Sequence, residues 1–156
     1  MCAGIAVNWR EFTEEFIARH NLQSRVVSRN GDGQEVRFLY RDPMAQLPVW
    51  VGKELTIAAW GNRDNNASRL PRTGWCRQES LESGEWRHHH PEEVTIPACL
   101  GLEKGVWFQI KEGIRGILVK DEQSRPRVYM LTEPSSHYYE VMTRHDRMPV
   151  LIGERI

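Results

Sequence analysis

The sequence lacks a long hydrophobic run and an excess of charge of either sign. Its 21 lysines and arginines balance its 21 aspartates and glutamates, so any binding to nucleic acid or an anionic membrane must use a local patch. No stretch is long and apolar enough to span a bilayer. Glu11, Glu14 and Glu15 stand where a signal peptide would need apolar residues. We therefore expect a cytoplasmic protein that does not bind a membrane.

Cysteine is scarce as well. The three cysteines, Cys2, Cys76 and Cys99, have no paired spacing, which indicates reduced thiols rather than a disulfide framework. Three adjacent histidines at 88–90 have no cysteine or carboxylate at zinc-finger spacing. We expect them to form a solvated loop, and we expect no metal ion and no cofactor.

Short apolar segments separated by turn signals dominate the chain of 156 residues. The segments SRVVSR and QEVRFLY flank NGDG, and LPVWV and ELTIAAW flank Gly52-Lys53, which are hairpin patterns. Glu112-Gly113 is predicted to turn a third pair, VWFQIK and IRGILVK. We expect one domain over 1–156 with an α+β fold, in which a curved, mainly antiparallel sheet forms a β-barrel-like core.

Two helices are predicted beside this sheet. The spacing of Trp9, Phe12 and Phe16 predicts a helix over 9–20, with Asn8 as its N-cap and the phenylalanines inward. Pro134 suits a first helical turn, so a second helix is predicted in SSHYYEVMTRH. Its inward residues are predicted to be Tyr138, Val141 and Met142.

The cysteine that follows Met1 has two interpretations. If Met1 is removed, Cys2 carries an amine and a thiol on adjacent carbons, and this pair can act as a nucleophile or condense with an aldehyde into a thiazolidine. Alternatively, Cys2 is a buried small residue that begins the first strand.

A basic segment over 61–77 is the second candidate feature. Clustered arginines with aromatic rings at the edges suit single-stranded nucleic acid, because cations bind phosphates and flat rings stack on bases. A solvated loop beside two core tryptophans is the alternative. The residues concerned are Arg63, Arg69, Arg72 and Arg77, with Trp60 and Trp75.

The segment RHDRMPVLI is the third candidate. His145 is predicted to lie between a helix and a strand, where solvent can reach it and where it can titrate near neutral pH. A structural histidine bonded to backbone is the alternative.

Five segments, in this order, resemble the SRAP family (SOS-response-associated peptidase domain), whose members capture abasic sites in single-stranded DNA. The resemblance implies an α+β fold with a barrel-like core, a positively charged DNA groove, and an N-terminal cysteine that forms a thiazolidine with the abasic aldehyde. The segments are Met1-Cys2, Trp60-Gly61, Arg77-x-Glu79, the strand at 105–109, and His145-Asp146-Arg147-Met148-Pro149.

Three family motifs are altered in this chain. The family's initial Cys-Gly-Arg is Cys2-Ala3-Gly4 here. The arginine that binds DNA in the family corresponds to Arg77, while the family's asparagine corresponds to Trp75. The family's Gly-Phe-Tyr-Glu-Trp motif aligns with Gly-Val-Trp-Phe-Gln at 105–109. Its glutamate then falls on Phe108 without a gap and on Gln109 with one inserted residue, and we prefer Gln109. Either alignment predicts that the site has no carboxylate.

We therefore predict a monomeric SRAP-like protein that binds single-stranded DNA and cross-links abasic sites through Cys2. His145 would assist by proton transfer, and Gln109 would position the sugar. One alternative is a cysteine hydrolase or autopeptidase that uses Cys2 and His145. Another is an inactive binding module, which the missing glutamate favours. The predicted DNA-binding residues are Arg77, Arg63, Arg69, Arg72, Trp75 and Arg147.

Overall fold

The computed structural model describes residues 1–29, 33–63 and 68–153. Within these ranges it contains twelve strands, three α-helices and three 3-10 turns. The strands are β1 Gly4–Asn8, β2 Val26–Ser28, β3 Gln34–Leu39, β4 Gln46–Val51, β5 Glu54–Trp60, β6 Trp75–Arg77, β7 Glu92–Ile96, β8 Leu100–Glu103, β9 Val106–Gln109, β10 Ile114–Lys120, β11 Pro126–Pro134 and β12 Arg147–Pro149. The helices are α1 Glu14–Arg19, α2 Gln78–Glu82 and α3 His137–Thr143, and the 3-10 turns are Trp9–Glu11, Gln23–Arg25 and Arg87–His89.

Five strands close into a barrel. They are hydrogen-bonded in the order β10, β7, β4, β5 and β11, and β11 pairs again with β10. All these pairs are antiparallel except β5 with β11. Strands β6 and β12 also pair with β11. The predicted α+β fold with a barrel-like, mainly antiparallel core is confirmed.

The remaining strands form an open antiparallel sheet in the order β2, β3, β1, β8 and β9. Its central strand β1 is buried from Gly4 to Val7, and Ile5 and Phe38 of this sheet are fully buried. They share one hydrophobic core with Leu47 and Ile114 of the barrel strands. This shared core fixes the first residues of the chain beside the barrel.

The predicted hairpins fare differently. Strands β2 and β3 pair as expected, although the turn residues 30–32 lie outside the described residues. Strands β4 and β5 pair around Gly52-Lys53, as predicted.

The third predicted hairpin is wrong, because β9 pairs with β8 while β10 pairs with β7 and β11. The turn that the sequence analysis missed is Lys104-Gly105, which joins β8 to β9. Both residues have positive φ, 48° and 80°, which suits a two-residue hairpin turn. Gly113 instead has a φ of 141°, and a Cβ there would lie 2.8 Å from the Ile96 carbonyl oxygen.

The first helical segment is divided in two. Asn8 caps the 3-10 turn by accepting the Arg10 N–H, and Thr13 caps α1 by accepting the Phe16 N–H at 3.1 Å. Phe12 is buried and stacks on the partly buried Phe16, with ring centroids 5.2 Å apart. The inward phenylalanines are confirmed, and the continuous helix over 9–20 is wrong.

The second predicted helix has a different inward face. Pro134 ends β11, and α3 begins after Ser136, whose side chain accepts the Tyr139 N–H. Tyr138 and Val141 are 63% and 65% exposed, so their predicted inward position is wrong, while Met142 packs against the core. Tyr139 is fully buried instead, because its hydroxyl has a carboxylate partner inside the protein.

None of the described helices is both long and apolar enough to cross a membrane.

Candidate functional site

The first residues of the chain are held between two strands. The Ala3 N–H donates to the Leu102 carbonyl oxygen of β8 at 2.8 Å. The Trp75 indole N–H, from β6, donates to the Cys2 carbonyl oxygen at 2.9 Å. These bonds place Cys2 beside the end of β8 and the beginning of β6.

The α-amino group of Met1 lies against a carboxylate and an imidazole. It is 2.9 and 3.0 Å from the two carboxylate oxygens of Glu103, and 2.9 Å from Nε2 of His145. Glu103 is only 2% exposed. The amine, the carboxylate and the imidazole thus meet directly next to Cys2.

Glu103 corrects the expectation that the site has no carboxylate. It is the last residue of β8, just before the Lys104-Gly105 turn, and the Tyr139 hydroxyl donates to its Oε1 at 3.1 Å. No strand was predicted at 100–103 by itself, and no local motif marks Glu103, so the sequence did not identify it. Its place at the site follows from the pairing of β8 with β1.

Neither residue of the aligned motif reaches this site. Gln109 is exposed and pairs with Leu100, which in turn pairs with Ala6. That register places Gln109 four residues along β1 from Cys2, or about 13 Å at 3.3 Å per residue. Phe108 is 4% exposed and belongs to the core. The predicted sugar-positioning role of Gln109 is therefore incompatible with its place in the sheet.

His145 follows α3, as predicted. Its Nδ1 lies 3.1 Å from the Arg147 backbone nitrogen and 3.0 Å from the Arg147 carbonyl oxygen. The Ser135 hydroxyl donates to the His145 carbonyl oxygen at 2.8 Å. The His145 side chain is 22% exposed. Its ring contacts both the Arg147 backbone and the Met1 amine, so the backbone-bonded histidine and the solvent-accessible one are compatible descriptions of the same residue.

The thiol of Cys2 is fully buried and donates to the Gly4 carbonyl oxygen at 3.2 Å. Burial raises the pKa of this thiol to about 12, so with Met1 in place the group is a neutral thiol. The alternative of a buried cysteine at the start of the first strand describes this state. Met1 itself is 38% exposed.

The two tryptophans of the basic segment have different environments. Trp60 is 2% exposed, and its indole N–H donates to the Gly74 carbonyl oxygen at 2.9 Å. Trp75 is partly buried, packs on Tyr40 at 4.6 Å between centroids, and contacts Cys2. Trp60 is thus a core residue, while Trp75 lies beside Cys2.

Exposed cations surround the site on two sides. Arg77 lies two residues after Trp75 on the same face of β6, about 7 Å along the strand. Lys104 follows Glu103, and its ammonium donates to the Arg144 carbonyl oxygen at 2.9 Å. Arg144, the exposed residue before His145, has a φ of 59°. Lys104 and Arg144 were missed because only the fold places them beside Cys2.

The other predicted DNA-binding arginines lie elsewhere. Arg63 is partly buried and donates to the Tyr40 and Asp42 carbonyl oxygens. Arg69 is exposed beside a cleft of about 560 Å³ that the histidines at 88–90 also line. Arg72 is exposed. Residues 64–67 of the predicted loop lie outside the described residues.

Arg147 is committed to contacts within the protein. It is 8% exposed, and its terminal nitrogens donate to the two Glu79 carboxylate oxygens at 2.7 and 3.0 Å and to the Thr132 carbonyl oxygen at 2.9 Å. These bonds hold the pKa of Glu79 at about 2. The geometry indicates that Arg147 connects α2 to β11 and β12. Its predicted role was instead to bind DNA.

A cleft of about 800 Å³ is lined by the carboxylates of Glu79, Glu82 and Glu133 and by Arg115. Three carboxylates against one arginine make this cleft unfavourable for a phosphate backbone. Within the described part of the chain, no three histidine, cysteine or acidic residues come together as a metal site.

A comparison with models of protein families finds no match, and a search of curated proteins finds none.

Proposed function

We propose that this protein binds single-stranded DNA and captures abasic sites by a covalent thiazolidine at Cys2. The observation that carries the proposal is the contact of the chain's α-amino group with Glu103 and His145, immediately beside the Cys2 thiol. An amine with two proton acceptors next to a thiol is the arrangement that aldehyde capture needs. The resemblance to the SRAP family independently leads to the same chemistry.

The reaction begins with removal of Met1, which gives Cys2 the free amine. The new terminal amine, on Cys2, lies one residue further along the chain than the Met1 amine, at a distance of about 3.8 Å, the usual Cα–Cα step. The space that Met1 occupied beside Glu103 and His145 becomes available to the ring-opened sugar. Loss of Met1 also opens a path to the buried thiol.

The condensation balances with the loss of one water and without redox change. The amine nitrogen attacks the aldehyde carbon, and the resulting carbinolamine loses its hydroxyl as water to give an iminium. The sulfur then attacks the same carbon and gives up its proton. One C–N bond and one C–S bond replace the C=O bond.

Glu103 and His145 would carry the protons. The ammonium must lose a proton before it attacks, and the carbinolamine hydroxyl must gain one before it leaves. Because burial raises the pKa of the Cys2 thiol, the thiol also needs a base as it attacks. A carboxylate and an imidazole that lie within about 3 Å of the Met1 amine, and so about one Cα–Cα step of 3.8 Å from the Cys2 amine, supply both functions.

The DNA strand would lie over the surface formed by Trp75, Arg77, Lys104 and Arg144. Trp75 offers a ring edge beside the site, and the three cations are exposed around it. Asp146 is 85% exposed on its side chain and contributes the opposite charge. Affinity should therefore be moderate and sensitive to salt.

The test is a time course with an abasic single-stranded oligonucleotide and denaturing gels. Wild type should form an adduct that resists denaturation, and Cys2→Ala should form none while still binding the strand. Cys99→Ala is the matched control, because Cys99 is a more exposed thiol outside the site and its loss should leave the adduct unchanged. If wild type forms no adduct once Met1 is absent, the proposal fails.

A further inference from the structure

The side chain of Tyr139 lies beneath the site and contacts the candidate proton acceptor. Tyr139 is fully buried, and its hydroxyl is 3.1 Å from Oε1 of Glu103. This Oε1 is also 2.9 Å from the α-amine. The carboxylate is thus held between an amine on the reacting side and a hydroxyl on the core side.

The ring of Tyr139 is fixed by its surroundings. It packs edge-on against Phe108, with centroids 5.2 Å apart and an interplanar angle of 83°. Its N–H donates to the Ser136 side chain at 3.1 Å, and its carbonyl oxygen accepts from the Thr143 hydroxyl at 2.8 Å. The hydroxyl is therefore aimed at Glu103 by contacts that do not involve the substrate.

Burial raises the pKa of Tyr139 far above its usual range, so the hydroxyl stays protonated. A protonated hydroxyl donates to a carboxylate and thereby stabilises its charged form. The other groups that face Glu103 are the α-amine, the His145 ring at 3.8 Å and the neutral Cys2 thiol. Lys104 follows it in the chain, and Asp146 lies 3.8 Å from Nδ1 of His145, the same ring nitrogen that Glu103 approaches.

We propose that Tyr139 is a positioning residue that holds the Glu103 carboxyl group directed at the reacting amine while bonds to the aldehyde form. This inference rests on the proposed function. The ion pair seen with the Met1 amine is lost when Met1 is removed, and the Cys2 amine must be uncharged when it attacks, so an ion pair does not hold Glu103 at that step. The Tyr139 hydroxyl is the donor that remains, since a buried carboxylate without a partner is strongly disfavoured.

The experiment compares Tyr139→Phe with Tyr129→Phe. Each change removes one hydroxyl from a fully buried ring, and the Tyr129 hydroxyl donates to the Pro71 carbonyl oxygen at 2.9 Å, away from the site. Adduct formation by Tyr139→Phe should be slower by about tenfold or more, which corresponds to losing one hydrogen bond to a charged group. The acid limb of its rate–pH profile should move to higher pH, while its affinity for the strand stays unchanged.

A second measurement does not depend on DNA. The side-chain carboxyl carbon of Glu103 is followed by NMR through a pH titration in the three proteins. Its midpoint should be higher in Tyr139→Phe than in wild type, and unchanged in Tyr129→Phe. Equal midpoints in all three proteins would overturn the inference even if adducts form. If the midpoint is higher in Tyr139→Phe but wild type forms no adduct, the hydrogen bond from Tyr139 to Glu103 is supported and the proposed function is rejected.

Discussion

Replacing Arg147 by methionine should destabilise the fold, because this side chain connects three elements. It is 8% exposed and donates to Glu79 of α2 and to Thr132 of β11. Methionine keeps much of the volume and removes every hydrogen bond. Arg147 was predicted to bind DNA, so this variant separates the structural role from the predicted one.

The two sets of contacts differ in strength. Bonds to the Thr132 carbonyl and hydroxyl oxygens are buried, and leaving those oxygens unpaired costs about 1–3 kcal/mol. The Glu79 side chain is 53% exposed, so solvent limits that ion pair to at most about 1 kcal/mol. Together they predict a loss of about 1–4 kcal/mol in the free energy of unfolding. For a chain of this size that lowers Tm by about 2–15 °C.

Acid should reveal the same contact. The hydrogen bonds from Arg147 hold the pKa of Glu79 at about 2, below its ordinary 4.5. A lowered folded-state pKa contributes stability above about pH 4.5, and this contribution is lost as the pH falls towards 2. Arg147→Met should lack this part of the acid dependence.

Thermal and urea denaturation across pH measure both effects. Arg77→Met is the matched control, because Arg77 is exposed one strand away and its replacement should change stability by no more than about 0.5 kcal/mol. If Arg147→Met is as stable as Arg77→Met, the structural role is refuted. If Arg147→Met keeps the stability of wild type and loses affinity for DNA, Arg147 binds DNA as first predicted.

Three further substitutions, together with Arg69→Ala as a control, address the site. Arg77→Ala should weaken binding of single-stranded DNA and reduce the slope of log affinity against log salt concentration by about one unit, whereas Arg69→Ala should change neither. Equal effects of the two variants in a binding titration would show that the DNA-binding surface lies elsewhere. Glu103→Gln should slow adduct formation by about a hundredfold, because the amide does not accept the proton; an unchanged single-turnover rate would remove Glu103 from the mechanism. Gln109→Glu should have no effect on that rate, and an acceleration would contradict the separation of Gln109 from Cys2.

The fold class could be predicted because local signals were strong. Gly52-Lys53 and the flanking apolar alternation define the β4–β5 hairpin whatever the rest of the chain does. The hairpin prediction at Gly113 was wrong because a glycine with positive φ is found where the chain passes from one sheet to another as well as in a hairpin turn. Here Gly113 lies between β9 and β10, which belong to different sheets. Only the pairing of β9 with β8 decides between the two, and that pairing is non-local.

The candidate site was predictable in part, for a similar reason. Cys2, His145, Trp75 and Arg77 carry distinctive chemistry in the sequence, and the fold brings them to one place. Glu103, which lies between Leu102 and Lys104, carries no local signal, and its importance comes from the pairing of β8 with the first strand. Tyr139 differs from Tyr138 only by one position, and the buried carboxylate determines which of them turns inward.

The central claim is covalent capture through the amine and thiol of Cys2, and intact mass spectrometry tests it most directly. The purified protein should lack the mass of Met1. After incubation with an abasic single-stranded oligonucleotide, the product should weigh as much as the two components together minus one water. Treatment of the adduct with borohydride should leave its mass unchanged, because a closed thiazolidine has no C=N bond to reduce. A protein that retains Met1, or that shows no mass increase after losing it, would contradict the account.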